Sequence, residues 1–181
     1  MGVSKFSSTD LRKQLSGKNA SVAVGVDDYE LGVIGQGSPK DIETIMQLIY
    51  LQFTDPRFSK DDFDVIMNQY RPYFENAQTN PDYISTVQRM KTLYGNHFRR
   101  QQLTPAILDM VKFEHMEPAY KALFSNAGNF TVYIVGNVDL ETLKPLVEKY
   151  IGSLPVSKKL IKKADDGVRT VKGEVVNDFK V

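Results

Sequence analysis

The 181-residue chain contains no cysteine and only two histidines, His97 and His115. Without thiols, disulfides and thiolate metal sites are excluded, although the absence selects no compartment. Charge of one sign is missing too: 23 basic side chains face 22 acidic ones, a net of +1. Such a balance provides no field to attract nucleic acid or an anionic membrane. No apolar run approaches the roughly 20 residues that a bilayer requires. The opening Met1-Gly2-Val3-Ser4-Lys5-Phe6 has no apolar core and no small-residue cleavage site of a signal peptide. Both ends read as cuts in a longer protein, so a missing leader carries no information about where that protein resides. What is present, 41% hydrophobic and 25% charged residues, is ordinary for a globular chain long enough to bury one core without staples.

Local patterns set out the elements. Ser7-Ser8-Thr9-Asp10 supplies N-caps for a short helix carrying Leu11 and Leu15, and Gly17 stops it. Ala20, Val22, Val24 and Val26 alternate as a strand, Asp27-Asp28 turns the chain, and Tyr29 to Ile34 returns as the other arm of a hairpin. Ser38-Pro39-Lys40-Asp41 opens a helix whose apolar face is Ile42, Ile45, Met46, Ile49 and Phe53. Further helices start at Ser59 and after Asn80-Pro81. Another runs from Thr104-Pro105 to Leu123, with Pro118 as a candidate kink. A strand Phe130–Val135, a Gly136-Asn137 turn and a helix capped by Asp139 follow. Its apolar face is Leu143, Leu146, Val147 and Tyr150. Beyond Pro155 lies a linker with Lys158, Lys159, Lys162 and Lys163, then alternating Val171, Val175 and Phe179, which predicts a last strand. The order predicts an α+β fold, a mainly antiparallel four-stranded sheet with helices on one face, in an αββα…βαβ, ferredoxin-like sequence.

Each constellation with chemical promise has a plainer explanation. Gly32-Val-Ile-Gly35-Gln-Gly37 joins strand to helix, but its glycines are in the wrong order for a dinucleotide fingerprint, and Asp41 would repel a phosphate. His115 stands between Glu114 and Glu117 with no second histidine a helical turn away, and His97 sits in a loop-like Gly95-Asn96-His97-Phe98. No G-x-S-x-G elbow occurs, since Ser38 has Gln36 and Lys40 where glycines should stand. The pairs Asp27/Asp28, Asp61/Asp62 and Asp165/Asp166 read as solvated turn charges. The basic linker with Arg99-Arg100 lacks the clustered aromatics of a nucleic-acid surface. From the residues alone, no catalytic, cofactor-binding or metal-ligating residue is assigned.

Three stretches taken together resemble the pitrilysin/insulinase-type zinc metallopeptidases, most closely the long bacterial periplasmic members. They are Leu11-Arg-Lys-Gln-Leu-Ser-Gly17, then Gly37-Ser38-Pro-Lys-Asp41-Ile-Glu43 with Gln47-Leu-Ile-Tyr-Leu51-Gln-Phe53-Thr-Asp-Pro56-Arg57. The third runs from Asn129-Phe130-Thr131 through Val135-Gly136-Asn137-Val-Asp139 to Lys149-Tyr150-Ile-Gly152-Ser153-Leu-Pro155. The resemblance implies related α+β units enclosing a chamber, one of which carries H-x-x-E-H, with two imidazoles and a carboxylate on zinc and the motif glutamate as base. This sequence has no H-x-x-E-H. The helix that would carry a downstream glutamate ligand, about 59–76, presents Tyr70, Arg71, Pro72 and Tyr73, and only a shifted match would enlist Glu75.

The resemblance therefore implies an inactive peptidase-like domain over 1–155, with 156–181 a basic linker and final strand packed on it. Zinc is implied for the parent protein and not for this chain. The implied partners are the zinc-bearing domain of the same parent, the parent's peptide substrate, and further copies of the isolated fragment. A periplasmic parent follows from the same resemblance. The rival reading is a non-enzymatic assembly or binding module on the same scaffold.

Overall fold

A computed structural model describes residues 2–162 and 164–179. The chain divides into two compact units, one of residues up to 59 with 114–161, the other of 60–113 with 162 onward. Lys163 of the basic linker lies outside the described residues, as do Lys180 and Val181 of the expected last strand.

The first unit starts with β1 (Gly2–Val3), followed by α1 (Ser8–Gln14), where Ser7 Oγ accepts the Asp10 N–H at 3.1 Å as the cap. The hairpin forms as β2 (Ala20–Val26) and β3 (Leu31–Gly37), antiparallel, with Val22 opposite Gly35 and Val26 opposite Leu31. Its second arm begins two residues later and ends three residues later than the sequence predicts. Asp27 N–H bonding to the Glu30 carbonyl at 2.7 Å sets the turn at Asp28-Tyr29, so Tyr29 is spent on the loop. Ser38 then leads a short 3-10 turn, Pro39–Asp41, into α2 (Ile42–Thr54), and β4 (Pro56–Arg57) returns to pair with β1.

Helix α2 lies against both strands of the hairpin. Its apolar face explains why: Ile45, Met46 and Leu48 are buried, and Gly35 lets the helix come close. A Cβ at Gly35 would stand 2.5 Å from Ile45 Cγ2. The core continues through α6 (Phe113–Phe124) and α7 (Leu140–Leu146), with buried Phe124, Tyr150 and Leu154. Phe53, Phe124 and Phe130 meet at ring-centroid distances of 4.9 to 6.1 Å. Asp139 caps α7 as its position predicts, accepting the Thr142 N–H at 2.8 Å. After Pro145, which has no N–H to offer, the helix widens into a π turn over Val147–Ile151.

The second unit holds α3 (Lys60–Ala77), α4 (Pro81–Leu93) and α5 (Pro105–Met110). Arg71 on α3 pairs with Asp109 on α5, and the rings of Phe63 and Phe113 lie 5.8 Å apart. The helix expected from Thr104 to Leu123 is two helices, α5 and α6, separated at Val111, whose backbone is extended. Restarting at Phe113 leaves Pro118 within two turns of the new N-terminus. There its missing N–H removes one helical hydrogen bond.

The α+β class holds, but the four-stranded sheet does not. Among the described residues the ladders are two-stranded, β1 with β4 and β2 with β3. Residues 130–135 join no ladder, and Tyr133 and Val135 are 84% and 97% exposed. Residues 168–179 likewise form no strand, although the Val171 N–H reaches the Leu93 carbonyl at 2.8 Å. The alternation of these segments specifies which side chains face a core. A strand also needs a partner edge, which alternation does not supply.

Candidate functional site

The residues weighed from sequence do not converge. His97 serves as an N-cap: its Nδ1 accepts the Arg99 N–H at 3.3 Å, and its ring stacks on Phe98. His115 is exposed in the first turn of α6, and Glu117 is held by Lys121 at 2.6 Å. Glu75 pairs with Arg71 along α3. Among the described residues, no three His, Asp or Glu side chains gather where they could hold a metal ion.

The glycine-bearing turn is likewise filled by its own chain. Asp41 Oδ2 accepts from Ser38 Oγ at 2.7 Å and from the Asn19 N–H at 3.0 Å. The Ser38 hydroxyl first, then the Asn19 amide and nearby Lys40 and Lys18, hold this carboxyl below its usual range. An anion at that helix start would meet a carboxylate, so no phosphate cradle forms. Asp139 plays the same part at α7, held below the ordinary carboxylate range by the Thr142 amide and hydroxyl. Two of these carboxylate pairs are engaged by the chain itself. Asp27 accepts the Asp28 N–H, Asp165 binds Arg169 at 2.5 Å, and Asp166 lies 3.1 Å from Arg99.

One polar cluster was not foreseen. Tyr150 donates its hydroxyl to Glu43 Oε1 at 2.8 Å and accepts from Gln47 Nε2 at 3.0 Å, while Lys149 reaches the same glutamate at 3.2 Å. These bonds tie the π turn to α2 and hold Glu43 below its usual range, the tyrosine contributing most. The available signal was the one-turn spacing of Glu43 and Gln47 on α2.

A groove of about 690 Å³ opens in the first unit. One wall is β3, the other is residues 129–138, and the apolar face of α2 forms the floor. None of the side chains lining it is charged. A second hollow of about 570 Å³ lies beside β2, lined by Val22, Val24, Phe58, Met116 and Tyr120, where burial pushes the Tyr120 hydroxyl up to about 12. Both hollows can bury apolar chain. Neither is lined by a carboxylate, an imidazole, a guanidinium or an amine.

Residues 111–179 match the family model described as the Peptidase M16 inactive domain. The resemblance to zinc metallopeptidases seen in the sequence holds. The chain is 23% identical over 158 residues to the probable zinc protease PqqL of Haemophilus influenzae. It is 26% identical over 157 residues to a PQQL-like zinc protease of Arabidopsis thaliana. Those matches cover 84% and 85% of this chain but only 16% of each relative, about a sixth of their length. The fold is shared with the periplasmic protease PqqL of Escherichia coli, at a TM-score of 0.78 and 20% identity over 94% of this chain and 19% of that one. It is also shared with a peptidase M16 inactive domain from Pseudomonas fluorescens, at a TM-score of 0.67 and 20% identity, covering 90% of this chain and 41% of that one.

Proposed function

We propose that the chain is a non-catalytic structural domain of a zinc-dependent metalloendopeptidase. Residues 1–155 form the inactive unit and 156–181 its basic linker and end. In this reading the domain completes the substrate chamber and packs against the zinc-bearing half of the same protein. The observation that carries it is the match of residues 111–179 to the M16 inactive domain. The uncharged groove fits it, because apolar walls enclose chain without performing chemistry on it. Zinc belongs to the parent in this reading, since the relatives are named as zinc proteases. Likeness to a periplasmic protease supports a periplasmic parent.

Zinc titration of the 181-residue chain by calorimetry tests the inactive assignment. Heats indistinguishable from dilution are expected. Micromolar binding with proton release would overturn it, because protons are displaced when side chains become ligands. An H-x-x-E-H elsewhere in the reading frame supports the peptidase. Its absence favours an assembly module on the same scaffold.

A further inference from the structure

Gln52, in the last turn of α2, is 4% exposed, yet the protein engages only the oxygen of its carboxamide. The Tyr120 hydroxyl donates to the Gln52 main-chain carbonyl at 3.0 Å and stands 3.4 Å from Oε1. Nε2 carries two hydrogens and meets no acceptor among the described residues. Thr44, another buried polar side chain of α2, is by contrast met by Lys18 Nζ at 2.8 Å. The large majority of buried side-chain donors are paired, because an unmet one forfeits its bond to water. Gln52 is not sealed in, since it lines the hollow of about 570 Å³ beside β2. Around it stand Phe58, Met116, Leu123 and the stacked rings of Tyr120 and Phe124, 4.4 Å apart. A free side-chain donor therefore stands in an apolar, uncharged wall. The volume falls within the roughly 300–1,000 Å³ of small-molecule sites, which combine such walls with a few placed polar groups.

We propose that this hollow binds a small uncharged ligand, mainly aromatic, whose one carbonyl oxygen accepts from Gln52 Nε2. An aromatic body suits the lining. It can lie against the Tyr120 and Phe124 rings, where offset and edge-on contacts attract, and the flexible thioether of Met116 adapts to its outline. A charged ligand would lose its water with no counter-charge in the wall. A peptide strand fits poorly as well. Laid along β2, it would turn its other edge onto Met116, Ala119 and Leu123, whose side chains offer nothing to its N–H and C=O groups. Residues 130–135 and 168–179, unpaired in any ladder, bring the same groups, whether from this chain or from a second copy. A compact ligand with a single acceptor leaves none unmet. The assignment goes beyond the peptidase reading and does not depend on it, since it needs neither zinc nor a further domain.

Nuclear magnetic resonance titrations of the 181-residue chain at low concentration test it. The probe is 2-acetonaphthone, with 2-isopropylnaphthalene as the same skeleton lacking the acceptor and 2-naphthoate as the charged analogue. The ketone is expected to shift the Gln52 side-chain amide and the Met116 methyl group saturably, moving the amide protons downfield, which the hydrocarbon should not do. Gln52→Met keeps the length and removes the donor, while Tyr120 retains its main-chain partner. It should weaken the ketone about 3- to 10-fold and leave the hydrocarbon unchanged. Ala119→Phe, which puts a ring into the hollow from α6, should abolish binding of both. The proposal is overturned if the ketone produces no saturable shift at Gln52, or if Gln52→Met weakens ketone and hydrocarbon alike. Naphthoate binding as tightly as the ketone overturns it too. So does a ketone that no longer reaches Gln52 in the product of the full reading frame, because protein then covers the hollow. Ketone affinity that falls as the chain is concentrated would assign the hollow to a second copy instead. Should Gln52→Met fail to fold, the downfield shift of the Gln52 amide in the unsubstituted chain, with the ketone and not the hydrocarbon, still decides. Either result leaves the zinc titration untouched.

Discussion

Tyr120 shows how a single side chain joins two layers of the first unit. Its hydroxyl donates to the Gln52 carbonyl at 3.0 Å, its ring stacks on Phe124 at 4.4 Å and lies edge-on to Phe58 at 5.5 Å. Burial raises its pKa from 10.0 to about 12. The folded state thus favours the neutral phenol, so its contribution is complete below pH 10. That contribution is lost as pH rises through about 12. Tyr120→Phe should cost about 1 kcal/mol at neutral pH, the usual worth of one such bond. It should also flatten the part of the alkaline stability loss that belongs to this group, read by denaturant unfolding across pH. An unchanged alkaline slope would mean that the phenol is not what burial perturbs. In the sequence Tyr120 was legible as one apolar position of a helix, but its bond to Gln52, 68 residues away, was not.

At the scale of elements, the hairpin and most helix starts were read from the sequence, whereas the break at Val111 and the extent of the sheet were not. Asn80 accepts from the Asp82 and Tyr83 amides, and Thr104 accepts from Ile107, as their positions before proline and the apolar runs require. Such bonds span two or three residues, so local order determines them. The seating of α2 on the hairpin depends instead on a small residue far away in sequence. Gly35→Ala in the 181-residue chain would press a methyl into Ile45 and Ile49, at 2.5 and 3.1 Å. It should destabilise by about 1–3 kcal/mol. Adding Ile45→Ala should give back part of the Gly35→Ala penalty in a double-mutant cycle. Gly32→Ala, with open space around it, should cost far less and serves as the control. Equal effects at the two glycines would contradict the close approach of α2. The alternation around Gly32, Gly35 and Gly37 announced a strand and a turn. Which glycine touches the helix awaited the packing.

For the molecule as a whole, the exposed apolar surface carries the consequence. Val132, Tyr133, Val135 and Leu140 in the first unit are each at least half exposed, as are Val65, Ile66 and Tyr73 in the second. Unpaired edges and exposed apolar residues are templates for association. The isolated chain is therefore expected to self-associate as concentration rises, checked by sedimentation over a broad concentration range. A single monomeric species throughout would set this aside. Val33→Pro, which blunts the β3 edge, should reduce association only to the extent that this edge contributes.

By itself, the amino-acid order determined most helix starts, the α1 and α7 caps, the hairpin, the apolar face of α2 and the resemblance to the zinc peptidases. All of these rest on neighbours within a turn or two, or on patterns that persist along the chain. The tertiary structure alone decided that the helix after Pro105 breaks at Val111 and that Glu43, Gln47 and Tyr150 share hydrogen bonds. It also decided that residues 130–135 stay unpaired among the described residues. The reason is physical. A cap is completed by atoms two or three residues away, whereas a strand or a buried polar cluster is completed by an edge or a partner whose distance in sequence no local pattern encodes.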